Sequence, residues 1–380
     1  MKCDIIIPVW NQLECTRRCI ESIRGNTDYP YRLILIDNGS SDQTKSYLEE
    51  IARSSADVTL IRNDENLGFI RATNQGLRAS DAQYVCLMNN DAEASRRWLA
   101  EMISVAESDP AIGLVNPKST LPAKEGRGYR GRSFINGEKR FIETNQCMGY
   151  CMLIKREVLE KIGFLDEAYG VGGFDDTDFS RRAHSQGYKC VCARYAFVFH
   201  KWHTSFLSAG NREALVRKNE AIYEERWGRF LRIGFPISQD SREDFFGDIK
   251  TSLALAREWN WVHAWIRANG TIRKKSCRLG LPEHQNLRTF CMSGWKAFFY
   301  MEVLFRLLGR RMKNKKAFDA ILVSDKKLAR FLSRFERFFS FPVHYVERHP
   351  GSYELGDSDA EYWRRRARGI MASILKERSS

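Results

Sequence analysis

The chain is 380 residues long, 43% apolar and 12% aromatic, with 61 Lys and Arg against 47 Asp and Glu for a formal net charge of +14. At roughly 100–200 residues per domain this predicts two folded domains, and the apolar fraction excludes disorder as the main state. No window reaches the ~18 consecutive apolar residues of a spanning helix, because Glu302 and Arg306 interrupt the longest run, 295–308, so a membrane-crossing chain is not expected.

Residues 1–10 hold one Lys and an apolar stretch that Pro8 interrupts, too short for a signal-peptide core, so a cytoplasmic rather than exported protein is expected. From there to residue 115, strand and helix signals alternate. Short apolar runs at 3–8, 32–36, 58–61, 84–88 and 112–115 read as buried parallel strands. Between them, Ser41 is placed to cap a helix reaching about Arg53, and 94–107 repeats Leu99, Met102, Ile103 and Ala106 at helical spacing. Such a β-α-β series predicts a mostly parallel sheet with a ligand crevice at the carboxyl ends of its strands. Residues 117–146 lose periodicity and include Arg127, Arg130 and Arg132, the composition of a long lid or binding loop. Then 147–154 reads as strand, 156–162 and 176–186 as helices, and 191–203 as extended. Further on, 243–268 and 295–308 read as helices, and 318–323 and 341–346 as strands around a helix at 326–339.

The ten cysteines are dispersed with no C-x-x-C pair, which favours reduced thiols over disulfides or a structural zinc. Charge is unevenly placed: residues 271–380 hold 24 Lys and Arg against 11 Asp and Glu, leaving 37 against 36 in residues 1–270. Chemistry is therefore expected in the near-neutral first part and attraction to something anionic in the last.

The tips of the strands carry the functional signal. Strand one is followed by Val9-Trp10-Asn11-Gln12, without the glycine turn of a dinucleotide binder, and neither a P-loop nor a G-x-S-x-G elbow occurs. Strand two ends in Asp37-Asn38-Gly39-Ser40-Ser41-Asp42 and strand four in Asn89-Asn90-Asp91. Each Asp taken alone either closes a turn or caps a helix, or faces a ligand. Taken with Asp175-Asp176-Thr177-Asp178 and His200, they form a set of hard oxygen and imidazole donors suited to Mg²⁺ or Mn²⁺ on a diphosphate.

In order, the segments Ile5-Ile6-Ile7-Pro8-Val9-Trp10-Asn11, Ile36-Asp37-Asn38-Gly39-Ser40-Ser41-Asp42, Asn63-Asp64-Glu65-Asn66-Leu67-Gly68-Phe69 and Leu87-Met88-Asn89-Asn90-Asp91 resemble those of inverting family 2 glycosyltransferases of the GT-A fold, near the rhamnosyltransferase-like branch. So do Gly149-Tyr150-Cys151-Met152-Leu153-Ile154-Lys155-Arg156, Gly163-Phe164-Leu165-Asp166-Glu167, Asp175-Asp176-Thr177-Asp178-Phe179, and His200 with Ser205. The resemblance spans about residues 1–230. It implies an α/β GT-A catalytic domain at 1–235, with 236–380 as an appended basic α/β or helical region.

By that resemblance Asp37 bonds the nucleotide base beside a wall of Pro8, Val9 and Trp10, with Asn66, Arg71 and Asn90 also on the donor and Arg71 reaching its sugar or phosphate. Asp91 matches the last acid of a D-x-D-type metal motif, and Asn89 stands where the first acid is usual. His200, with His203 as the alternative, completes the metal site for Mn²⁺ or Mg²⁺. Asp176 matches the catalytic base; Asp175 beside it replaces the more usual Glu. The donor implied is a UDP- or dTDP-sugar, and the acceptor a glycan or lipid-linked glycan of cell-surface polysaccharide. Asp178 and Arg181 are expected to pair at i, i+3. A decayed scaffold or glycan-binding protein is the alternative; the presence of Asp37, Asp91, Asp176 and His200 together weighs against it.

In the basic region, Arg310-Arg311-Met312-Lys313-Asn314-Lys315-Lys316 and Arg364-Arg365-Arg366 read as solvated helix faces, as contacts to an anionic membrane surface or lipid-diphosphate-linked acceptor, or as a protein-partner or self-association surface. Trp295, Phe298, Phe299, Met301, Phe305 and Leu308 beside the first run suit peripheral docking at the inner face of the membrane, or else are core residues. Nucleic acid is not an expected partner.

Overall fold

The computed structural model describes residues 3–119, 140–200, 212–238, 241–267, 283–312, 317–336, 342–347 and 360–379. Arg127, Arg130, Arg132, His203 and Ser205 lie outside them, as does the basic run beyond Met312. The chain divides into two compact units, Met1–Gly228 and Arg229–Ser380.

The first unit begins β1 (Cys3–Val9), α1 (Leu13–Asn26), β2 (Tyr31–Asn38), α2 (Asp42–Ser54), β3 (Val58–Asn63), α3 (Phe69–Ala79), β4 (Tyr84–Met88). These strands run parallel in the order β3-β2-β1-β4, and Ile5, Ile6, Ile7 and the Leu33 to Ile36 run are fully buried, as strands covered on both faces must be. Helix α3 sits close on the sheet through Gly76, where a Cβ would meet Ile6 at 2.4 Å and Ile36 at 2.9 Å.

The unit continues with β5 (Ala92–Ala94), α4 (Trp98–Glu107), β6 (Ile112–Ser119), β7 (Phe141–Thr144), β8 (Cys151–Lys155), α5 (Arg156–Ile162), α6 (Asp175–Ser185), β9 (Lys189–His200) and α7 (Arg212–Trp227). Here the alternation expected from the sequence breaks. Strand β8 inserts antiparallel between β4 and β6, β6 runs parallel to β9, and β5 and β7 both pair antiparallel with β9. The helix expected from residue 94 starts at Trp98, because Ala92–Ala94 is a strand on β9 and Arg97 takes a left-handed φ of 62°. Likewise the strand expected from 147 starts at Cys151. Ser41 occupies the position before α2, yet its side chain makes no capping bond.

The second unit is a parallel five-stranded sheet, β12-β11-β10-β13-β14, built from β10 (Arg232–Ile237), α8 (Arg242–Arg257), β11 (Trp261–Arg267), β12 (Leu287–Met292), α9 (Lys296–Met312), β13 (Ala320–Val323), α10 (Lys326–Ser333), β14 (Val343–Tyr345) and α11 (Ala360–Ser379). Its central strand β10 begins at Arg232, so the second unit starts before the boundary expected at 235/236. The helix expected over 243–268 stops at Arg257. Asn260 Nδ2 donates to the carbonyls of Leu255 and Glu258, Trp259 adopts a φ of 67°, and the chain leaves as β11 beside β10. The order places a reversal between β10 and β13, and there Asp325 accepts from Ser238 Oγ at 2.7 Å and Tyr300 Oη at 3.0 Å. Parallel pairs outnumber antiparallel ones across the two sheets, so the α/β class read from the sequence is the class observed. Among the described residues no helix is long and apolar enough to cross a membrane, and the described cysteines are free thiols.

Candidate active site

The carboxyl ends of β1 and β2 are tied to each other. Val9 stands opposite Asp37 in the ladder; beyond it, Asn11 N donates to Ser40 Oγ at 2.9 Å and Ser41 N to Asn11 Oδ1 at 2.7 Å. Asp37 is 1% exposed, and the turn-closing reading describes one of its two oxygens. Its Oδ1 closes the turn by accepting from Ser40 N at 2.9 Å, and its Oδ2 pairs with Arg62 from β3. Gly39 allows that turn: its φ is +76°, and a Cβ would lie 2.7 Å from the Glu65 backbone. Of the expected wall, Val9 is buried in the core, Pro8 is half-buried, and Trp10, 40% exposed, presents its ring to solvent.

Asn66 braces this rim, its Oδ1 accepting from Asn38 Nδ2 at 2.7 Å and Gly68 N at 2.9 Å. Asn90 is buried and donates to Thr16 of α1 at 3.0 Å. Arg71 is exposed on α3 and pairs with Glu167 at 3.2 Å.

Asp91 and His200 come together across a strand pair. Ala92 faces His200 in the β5–β9 ladder, which sets His200 Nε2 3.1 Å from Asp91 Oδ1; both side chains are largely buried. Asn89 Nδ2 lies 3.3 Å from the same Nε2, and the Tyr150 ring stacks on the imidazole at 4.9 Å. Asn89 Oδ1 is buried with no hydrogen-bond partner among the described residues. A carboxylate oxygen and an imidazole nitrogen side by side, with the Asn89 amide next to them and its oxygen unsatisfied, are donors of the kind a divalent cation takes. Among the described residues no three carboxylate, imidazole or thiol groups gather to cage such an ion, so it would draw the rest of its shell from elsewhere, as an open site does.

Asp175 and Asp176 open α6, where aligned backbone N–H groups favour acidic side chains. Asp175 is buried, its Oδ1 accepting from Gly173 N at 2.7 Å; burial, and then the neighbouring Asp176 charge, push its carboxyl up to about 7. Asp176 is half-buried and held on both oxygens. Oδ1 accepts from Gln146 Nε2 at 3.1 Å and Thr177 Oγ1 at 3.2 Å, and Oδ2 from Gly149 N at 3.1 Å. Burial raises its carboxyl above the usual range against the pull of those bonds.

One short segment, 147–150, joins the two clusters. Gly149 N–H holds Asp176, the Tyr150 carbonyl accepts from Asn89 N at 2.9 Å, and the Tyr150 ring covers His200. Asn116 fixes the segment from β6: its Oδ1 accepts from Met148 N at 2.6 Å, and its Nδ2 donates to the carbonyls of Met148 at 3.0 Å and Cys151 at 2.5 Å. On the other side of α6, Asn219 Nδ2 reaches the carbonyls of Tyr169, Gly172 and Gly173 and pins the approach to Asp175.

Asp178 pairs not with Arg181 but with Arg182 at 2.8 Å and Arg226 at 2.9 Å, and it also accepts from the Trp227 indole at 2.8 Å. The i+4 residue Arg182 takes the pair, while Arg181 lies over the Trp227 ring. Gln146, Asn116, Arg62 and Asn219 escaped the sequence reading, and Tyr150 entered it only within a matching segment with no role, since no local pattern marks an amide or a ring that acts on a segment tens of residues away.

Residues 4–163 match the family described as "Glycosyl transferase family 2". The chain carries a glycosyl transferase family 2 domain. The match ends before Asp175, Asp176 and His200, which the geometry joins to the family 2 domain through the 147–150 segment. Over 250 residues the chain is 27% identical to an uncharacterized protein of Sinorhizobium fredii, covering 59% of this chain and 27% of that protein. Over 197 residues it is 26% identical to Glycosyltransferase AglE of Haloferax volcanii, covering 50% of this chain and 64% of that protein. The chain thus spans less than two thirds of each. Among solved structures it is similar to a mannosyltransferase of Pyrobaculum calidifontis in complex with GDP-Man and Mn²⁺, at a TM-score of 0.47 and 22% identity, covering 59% of this chain and 64% of that one. The sheet of this unit is mixed, with Asp37 and Asp91 at the tips of its parallel half.

Proposed function

We propose that this protein is an inverting glycosyltransferase that moves a hexosyl or rhamnosyl group from a nucleotide-diphosphate sugar, UDP- or dTDP-linked, to a hydroxyl of a glycan or lipid-linked acceptor in cell-surface polysaccharide synthesis, at the cytoplasmic face of the membrane. The observation that carries this reading is the 147–150 segment, which ties a held carboxylate, Asp176, to the Asp91–His200 pair. A transferase needs those two functions side by side: a base for the acceptor hydroxyl and an anchor for the leaving diphosphate.

Asp176 acts as the base. Three donors fix its carboxylate, and Oδ2, which accepts only the Gly149 N–H among them, keeps a lone pair for the proton of the acceptor hydroxyl. The raised proton affinity that burial confers favours that transfer. The deprotonated oxygen attacks the anomeric carbon from the face opposite the diphosphate, and a single displacement inverts its configuration. Asp91 and His200, with Asn89 Oδ1, would hold Mn²⁺ or Mg²⁺. When bound, the cation supplies positive charge to the departing diphosphate. Asp37, already braced by Ser40 and Arg62, faces the base of the nucleotide, with the Trp10 ring beside it. Asn66 and Asn90 shape the walls of the donor site through the loops they hold. Arg71 meets the donor from α3 after exchanging its pairing with Glu167.

Calorimetric titration of UDP, dTDP, GDP and CDP with Mn²⁺, repeated in EDTA, tests the reading. Binding of UDP or dTDP that EDTA abolishes is the expected result. No binding of any nucleotide would favour the decayed scaffold instead.

A further inference from the structure

Helix α9 is apolar on two faces. One is core: Phe299 and Val303 are fully buried, with Leu304 at 7% and Leu307 at 2% exposure. The opposite face is bare. Trp295, Phe298, Met301 and Phe305 are 77%, 64%, 40% and 63% exposed, and their spacing of three, three and four residues sets them in one stripe. A second apolar stripe of this size on a helix whose first already fills the core is not required by folding. Glu302 lies beside the stripe, and its carboxylate is engaged with the Ser293 N–H at 2.8 Å.

Charge decides the occupant. Arg306, exposed, leans over the Phe290 ring at 5.3 Å from its centre, and the sequence from 310 to 316 adds five more cations in seven residues. Residues 271–380 as a whole hold 24 basic against 11 acidic residues. A second copy of this chain would bring a like charge against this face, whereas an anionic lipid surface offers the opposite charge together with a boundary in which Trp and Phe rings partition.

We propose that the exposed face of α9 is an interfacial docking surface that seats the protein on an anionic phospholipid membrane, with Trp295, Phe298, Met301 and Phe305 at headgroup level and Arg306 supplying positive charge to lipid phosphates. The inference rests on the proposed reaction only for its purpose, the delivery of the transferase to a lipid-linked acceptor; the surface itself is tested separately.

The test is co-sedimentation of the full chain with vesicles of phosphatidylcholine alone and of phosphatidylcholine with phosphatidylglycerol, at low and high salt. It is repeated with the Phe298→Ser, Phe305→Ser double variant and with Trp295→Ala. All three positions are solvent-exposed, so the fold is kept, as circular dichroism and nucleotide binding will verify. Expected are partitioning to the anionic vesicles alone, its loss at high salt, and a fall of roughly 10- to 100-fold in partition for the double variant. Absence of wild-type binding, equal binding to neutral vesicles, or unchanged binding by the double variant would overturn the proposal. So would a wild-type dimer, measured by sedimentation velocity, that the double variant converts to monomer, since the stripe would then serve a second copy. Nucleotide binding in solution is read separately, so failure of the site and failure of the surface are distinguishable.

Discussion

His200 Nε2 stands 3.1 Å from Asp91 Oδ1 because Ala92 and His200 are ladder partners between β5 and β9. A strand of three residues thus carries an acid across to an imidazole more than a hundred positions away. If Nε2 carries a proton it donates to Asp91; without one, two lone-pair groups face each other at a separation that a cation relieves. Asp91→Ala and His200→Ala should each weaken Mn²⁺-dependent nucleotide binding by about 10- to 100-fold, and EDTA should have little further effect on either variant. Calorimetry of both variants with and without chelator is the check; retained, chelator-sensitive binding would place the metal elsewhere.

Asp176→Asn keeps the size and two of the acceptor contacts of the side chain but removes its basicity. Transfer should fall by about 10²–10⁴-fold while nucleotide affinity stays within a few-fold of wild type. A labelled-sugar assay beside the titration reads both. Undiminished turnover would reject Asp176 as the base.

Asn116 touches neither candidate cluster and yet holds the segment that joins them. Asn116→Ala leaves Met148 N–H and two carbonyls without their partner, so a loss of about 1–3 kcal/mol of stability is expected. Because Gly149 and Tyr150 lie in that segment, turnover should fall about tenfold or more with nucleotide affinity less affected. Urea unfolding together with kcat and KM measures both. A stability loss with unchanged kcat would make Asn116 a packing residue only.

The Asp175 carboxyl is buried beside another acid and titrates at about 7, against an ordinary value near 3.8. Between those two values the native protein binds a proton that the unfolded chain has lost, so this group's contribution is fully present below about pH 4 and declines as the pH rises through 7. Asp175→Asn, which keeps an acceptor for Gly173 N–H, should therefore be more stable than wild type at pH 8, by a few kcal/mol at most, and nearly equal to it at pH 4. Thermal unfolding at both pH values is the measurement; a destabilised variant at pH 8 would show that the ionised carboxylate is favourable in place.

Asp178 is fully buried and accepts from Arg182, Arg226 and Trp227. Removing one side of such a buried network leaves the other uncompensated, so Asp178→Ala should cost about 3–5 kcal/mol. Chemical denaturation of the variant beside wild type measures the loss, and an unchanged stability would show that the network contributes little.

Residue order alone was enough to place the parallel half of the first sheet, the acids at its strand tips, the acidic start of α6 and His200. Apolar runs of four to eight residues and the polar residues that end them are local features, and burial on both faces leaves them few other arrangements. Local pattern also misled. The stretch 243–268 reads as one helix, and only the pairing of Trp261–Arg267 with β10, which supplies backbone partners that a longer helix could not share, divides it. Asp178 and Arg181 fit a helical pair by spacing, but Asp178 pairs at i+4 with Arg182 and with Arg226 from α7.

The tertiary structure decided which distant groups meet. Insertion of antiparallel β8 between β4 and β6 brings Gly149 to Asp176, Tyr150 to His200 and Asn116 to the segment between. These contacts depend on sheet order and register, quantities set by the summed burial of the whole core rather than by any window of sequence. The same holds for Arg62 on Asp37, and for the apolar residues of 295–308, which are alike in sequence until packing buries Phe299, partly covers Leu308 and leaves Trp295, Phe298, Met301 and Phe305 outside.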